Sequence, residues 1–140
     1  MTVTDFLLPV FVQVGLTFVL LLLMARERTG ALRRGEIRAE DIALRQPNWP
    51  KRTTQYANAF SNQLELPVLF YLLIVFILIT KTPDVLLLIL AWVFVLTRIV
   101  HAYIHTTSNI VRQRGAIYGI GALVLIIMWV VFAAKIVTGA

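Results

Sequence analysis

The sequence predicts an all-α integral membrane protein, an antiparallel four-transmembrane-helix bundle formed as a single domain over residues 1–140. Three observations carry that reading. The chain is 59% hydrophobic and only 14% charged, with mean hydropathy +0.84, whereas a soluble domain carries about a quarter charged residues. Four segments are apolar over the roughly 20 residues needed to cross about 30 Å of hydrocarbon. The basic residues are segregated into alternate connections between those segments. Such a composition argues against a soluble enzyme. It also argues against nucleic acid as a partner despite a net charge of +6, because the charge is confined to one membrane face and no nucleic-acid motif accompanies it. Cysteine is absent, which excludes disulfides, Cys-ligated zinc, iron–sulfur clusters and a protein thiol nucleophile. Any thiol chemistry must use a thiol that the ligand brings.

The first span is expected from about Phe6 to Ala25, interrupted only by Gln13 and Thr17. It lacks the basic n-region of a cleaved signal peptide and is followed by Arg26 and Arg28, as in a signal anchor. The second span is expected over about 56–80, its apolar part at Leu64–Thr80, with a kink where the Pro67 ring meets the carbonyl of Gln63. The third covers about 85–105, joined to the second by the tight turn Lys81–Asp84. The fourth covers about 117–137. Gly115 and Gly119 at its start form a small-xxx-small pair, read either as a packing face or as incidental small residues.

Ten basic residues lie in the loop of about 26–54 and in the connection holding Arg112 and Arg114, against Lys81 and Lys135 on the other side. This bias places the basic loops in the cytoplasm and both termini outside, which for a bacterial chain means the inner membrane. Within the loop, alternating Arg and acidic residues from Arg33 to Leu44 suggest a short helix at the lipid interface. Pro47, Trp49 and Pro50 make a rigid turn with an aromatic anchor.

The informative residues are the polar ones on apolar helices. Asn58, Ser61, Asn62 and Glu65 are spaced by three and four on the second helix, as are Arg98, His101, His105, Asn109 and Arg112 on the third. Polar stripes in a membrane must face each other, a neighbouring subunit or a wet cavity. Glu65 and Arg98 are the expected ion pair, acting either as a helix lock or as part of a site for a charged ligand. His101 and His105 are the only histidines. An i, i+4 pair beside Glu65 could in principle ligate a metal, but one helix supplies both imidazoles and the third ligand is a guess, so interhelical hydrogen bonding is the expected role. Arg112 and Arg114 precede the fourth helix, either as anion ligands or as topology signals. No nucleophile elbow, P-loop or dinucleotide fingerprint is present.

Asn62-x-x-Glu65-x-Pro67, Arg98-x-x-His101 and Arg114-x-x-x-Tyr118, in that order and placement, resemble the MAPEG family, the membrane-associated proteins in eicosanoid and glutathione metabolism. The resemblance extends over nearly the whole chain. It implies a homotrimer of four-helix subunits with glutathione as cosubstrate, held between subunits near the cytoplasmic side. By that likeness Asn62 and Glu65 hold the peptide end of glutathione, Arg98 and His101 support them or touch the ligand, Arg114 stabilises the thiolate and Tyr118 lines the site. His105 joins this set where the family carries a tyrosine. The activity implied is a glutathione transferase or peroxidase acting on a hydrophobic small molecule or lipid hydroperoxide. The alternative is a non-catalytic lipid-binding or accessory subunit. The chain departs from the family's enzymes at Asn58, where they usually carry arginine, and from one well-known branch at Ser61 and Gly115, where that branch has arginine and serine.

Overall fold

A computed structural model describes all 140 residues. It is all-helical: α1 (Val3–Arg33), α2 (Lys51–Asn62), α3 (Leu66–Thr80), α4 (Val85–Thr106) and α5 (Val111–Thr138), with one 3-10 turn at Ala39–Asp41. Taking α2 and α3 together, four helical segments are long and apolar enough to cross a membrane. The termini and the α3–α4 turn lie at one end, called here the far end. The loop 34–50 and the α4–α5 connection lie at the other, the basic end.

Local chemistry sets the helix ends. Thr2 and Asp5 form a reciprocal cap on α1, the Thr2 N–H donating to Asp5 Oδ2 at 2.6 Å and the Asp5 N–H to Thr2 Oγ1 at 3.3 Å. Asp84 caps α4 by accepting from the N–H groups of Leu86 (2.8 Å) and Leu87 (3.3 Å). Asp84 also accepts from Lys135 Nζ at 2.8 Å, tying the α3–α4 turn to the last turns of α5.

Several expectations need correction. Helix α1 contains the expected span and runs on to Arg33, because nothing after Ala25 breaks the helix once the apolar stretch ends. Helix α5 begins at Val111, with Arg112 and Arg114 inside its first turns. The interfacial helix expected over Arg33–Leu44 is a single 3-10 turn, since Gly35 takes a left-handed φ of 70° and ends the helical path. The bend at Pro67 is a full interruption: α2 stops at Asn62, Gln63–Glu65 are non-helical, and Pro67 occupies the first turn of α3, where its missing N–H costs nothing.

The core is lopsided. Thirteen buried apolar residues, among them Phe6, Phe70, Phe94, Met128 and Phe132, form one cluster toward the far end. Only Leu20, Ala59 and Ala102 form a buried apolar cluster toward the basic end. Between the two, Gln13 of α1 donates to Gln63 Oε1 at 2.9 Å, and Gln63 donates to the Ala59 carbonyl at 3.2 Å. Helix α4 packs most extensively on α5, while α1 packs on α2 and α4. Gly121 permits the close α4–α5 approach, since a Cβ there would lie 2.8 Å from Thr97 Oγ1. The outer surface is rich in exposed Phe, Leu, Ile and Val, a surface suited to lipid and not to water.

Candidate functional site

The candidate site occupies the thinly packed half of the bundle, where α2, α4 and α5 meet. The interruption of α2 decides its layout. Asn62 is the last residue of α2, so its carbonyl is among those left without an intrahelical donor. Arg98, in the second half of α4 and 1% exposed, sends its Nη2 to that residue. It bonds the Asn62 Oδ1 and lies 3.4 Å from the Asn62 carbonyl oxygen. A cation therefore sits on the negative end of the α2 dipole.

The expected Glu65–Arg98 ion pair is not formed: the chain's ion pairs are Arg34–Glu36, Arg38–Asp41, Arg52–Glu27 and Lys135–Asp84. The physical reason is the interruption. Glu65 lies beyond the end of α2, so the three-and-four spacing that would have put it on the Asn62 face no longer applies. It is exposed, and its Oε2 accepts from the Tyr118 hydroxyl at 3.5 Å. The second stripe is also shorter than expected. Helix α4 ends at Thr106, and Asn109 lies in the α4–α5 turn with φ 51°, a left-handed conformation that asparagine tolerates.

Tyr118 is the hub of what is brought together. Its ring lies 5.5 Å from the Arg98 guanidinium and 5.7 Å from the His101 ring. His101 and His105 are edge to face at 5.4 Å, both buried. Neither Nδ1 has a partner, nor do Nε and Nη1 of Arg98. The histidines thus make no hydrogen bonds between helices through those atoms, contrary to expectation. The packing of the rings closes that space instead. No group of three or more His, Asp or Glu side chains is placed to hold a metal. Arg114, on the first turn of α5, donates to Asn109 Oδ1 at 2.5 Å and is half-buried. The Asn58 and Ser61 side chains are exposed. Gly115 and Gly119 meet nothing of their own chain where a Cβ would stand.

Asn62, Glu65, Arg98, His101, His105 and Tyr118 therefore gather at one place, with Arg114 on the turn below Tyr118. Sequence reasoning missed Gln55, which donates to the carbonyls of His105 and Thr107, 3.4 Å from each, and so closes the end of α4. It also missed the Gln13–Gln63 pair. The signal for the latter was available: Gln13 is the one amide in an otherwise apolar span, and such a group requires a partner.

A model described as the MAPEG family matches residues 6–134. No curated protein and no solved structure matches the chain.

Proposed function

The chain belongs to the MAPEG family, and from that premise we propose that it is a homotrimeric glutathione-dependent transferase or peroxidase acting on an apolar electrophile or lipid hydroperoxide. One observation carries the reading: Arg98 is buried with two guanidinium nitrogens unpartnered, beside a rim of exposed or half-buried polar groups. A buried cation needs acceptors. A peptide carboxylate reaching it from the side of the bundle supplies them. Asn62 offers an amide to the peptide, Glu65 a carboxylate to an ammonium, and Tyr118 an aromatic wall. His101 and His105 back that wall. Arg114 favours the thiolate over the thiol, and the thiolate is the nucleophile. Gly115 and Gly119, uncovered within the chain, leave room for a second subunit to close the site.

A specific observation favours a second reading, a non-catalytic lipid-binding or accessory subunit. The Arg114 guanidinium is already engaged by Asn109, and Asn58, Ser61 and Gly115 stand where the family's enzymes, or one branch of them, carry other groups. Calorimetry of glutathione binding to the purified protein in detergent separates the two. The enzyme reading expects binding with thiolate absorbance at neutral pH, and expects Arg114→Ala to diminish that absorbance without dissociating the assembly. Absence of binding, or binding without thiolate, supports the accessory reading.

The segregation of ten basic residues against two supports a topology with both termini outside and the site near the cytoplasmic face. A reporter active only in the cytoplasm, fused to Ala140, is expected to stay silent. Strong activity there reverses the orientation.

A further inference from the structure

We propose that the basic end of α1 is a headgroup site for an anionic phospholipid, separate from the polar cluster around Tyr118. The argument begins with depth. The apolar stretch Phe6–Ala25 accounts for about 30 Å of helix at ~1.5 Å per residue, the thickness of the hydrocarbon. The helix then continues without a break to Arg33. Its last two turns stand within roughly 12 Å of the hydrocarbon edge, the level of lipid phosphates.

At that level there is a concavity of about 510 Å³ bordered by Arg26, Glu27, Thr29, Gly30, Arg33 and Arg34. Gly30 makes room for it. The Arg34 guanidinium folds back over Gly30, its Nη1 2.7 Å from where a Cβ would be. Glu36 fixes that guanidinium through two hydrogen bonds, at 2.8 and 3.3 Å. The Glu27 carboxylate is directed to Arg52, 3.6 Å away. Arg26 and Arg33 are left exposed with no carboxylate partner. With Glu36 paired to Arg34 and Glu27 to Arg52, the two positive charges of Arg26 and Arg33 remain at the concavity, more than enough to hold the single negative charge of a phosphodiester headgroup.

A second observation distinguishes a lipid from free phosphate. Phe18 and Leu22 are 58% and 68% exposed, and with Arg26 they follow one another at four-residue spacing on a single face of α1. Gly15, one turn further from Arg26, meets nothing within 4 Å of a Cβ position. The headgroup position is therefore continuous with an apolar track on the same helix, one for an acyl chain to follow.

Native mass spectrometry of the intact protein, titrated separately with phosphatidylglycerol, phosphatidylcholine and inorganic phosphate, tests this. Phosphatidylglycerol is expected to be retained preferentially. The double variant Arg26→Gln, Arg33→Gln is expected to bind it roughly 30-fold more weakly, the loss appropriate to two near-surface cations. Gly30→Ala, which displaces Arg34, is expected to weaken it in the same direction. As a control for net charge, Arg45→Gln with Lys51→Gln removes as many cations outside the concavity and is expected to leave retention unchanged. Equal loss in that control would replace the site by diffuse attraction and overturn the proposal. So would equal retention of phosphatidylcholine, or inorganic phosphate abolishing the lipid's advantage. Exclusion of phosphatidylglycerol from the intact assembly would show that a second copy of the chain covers the track, and would overturn it too.

Discussion

Arg98 has Asn62 as its hydrogen-bonding partner within the chain, although a carboxylate, Glu65, stands only three residues further along. The difference is testable. Removing the amide strands a buried guanidinium, and losing a hydrogen bond to a charged group costs about 1.5–3 kcal/mol. Asn62→Leu is therefore expected to destabilise the protein by about 2 kcal/mol in detergent unfolding. Glu65→Gln, at an exposed position, is expected to stay within about 0.5 kcal/mol of wild type. Adding Arg98→Met to Asn62→Leu is expected to recover most of the loss, because no unpaired charge then remains. If Glu65→Gln proved the more damaging single change, the assignment of partners would be wrong.

Among the helices, the α4–α5 contact and the tie at the far end lend themselves to measurement. Gly121→Ala forces Thr97 to move, and Thr97 is stiff, its hydroxyl bonded to the Phe94 carbonyl at 2.6 Å. A loss of about 1–3 kcal/mol is expected from overpacking. At Gly115 and Gly119 an added methyl meets nothing in the chain. Alanine there is expected to leave subunit stability unchanged or raised, while native mass spectrometry reports any loss of assembly. The Asp84–Lys135 tie is a pH element. The hydrogen bond from Lys135 chiefly holds the Asp84 carboxyl below its ordinary 3.8. A depressed carboxyl stabilises the fold fully above the unfolded-state value of about 3.9, and the contribution fades as pH falls through the folded value. Asp84→Asn keeps a capping side chain but removes the charge. It is expected to cost at most about 1 kcal/mol near neutrality, and the difference from wild type is expected to persist down to about pH 4, shrink as pH falls further and vanish only below the lowered folded value. A difference that persisted there would assign the effect to the cap.

For the whole molecule, the four spans were legible because the length of an apolar run is a property of the chain alone. Residues 6–25, 85–105 and 117–137 fall within helices, and the second span of about 56–80 is helical except at Gln63–Glu65. Membership of the family was legible from the order of three short motifs, and the family match over residues 6–134 bears it out. Helix interruption was only half legible. Pro67 announced a disturbance at Gln63, but the clash predicts a kink and not a full stop over Gln63–Glu65, and the bond from Gln13 to Gln63, fifty residues apart, is encoded by no local pattern. The mistaken Glu65–Arg98 pair follows directly, since a face inferred from spacing presumes an unbroken helix. The gathering of Arg98, His101 and Tyr118 was within reach because α4 is regular through those turns. Assembly is checked by native mass spectrometry in mild detergent, where a trimer is expected; a stable monomer would leave the Arg98 side of the bundle facing lipid.

The unequal division of the apolar core has a consequence for how the molecule breathes. Local opening is governed by how much buried surface each region must give up, and the thirteen-residue cluster and the three-residue cluster differ greatly in that respect. Amides of α3 and the first half of α4 are expected to exchange hydrogen for deuterium only through global unfolding. Those of α2 and the last two turns of α4 are expected to exchange through smaller, more frequent openings, at least tenfold faster. Equal protection in both halves would mean that polar contacts rigidify the basic end as firmly as apolar packing does the other. With the expected gradient, a bulky apolar molecule can be admitted from the bilayer beside Arg98 and Tyr118 while the opposite half of the bundle stays shut as a hinge.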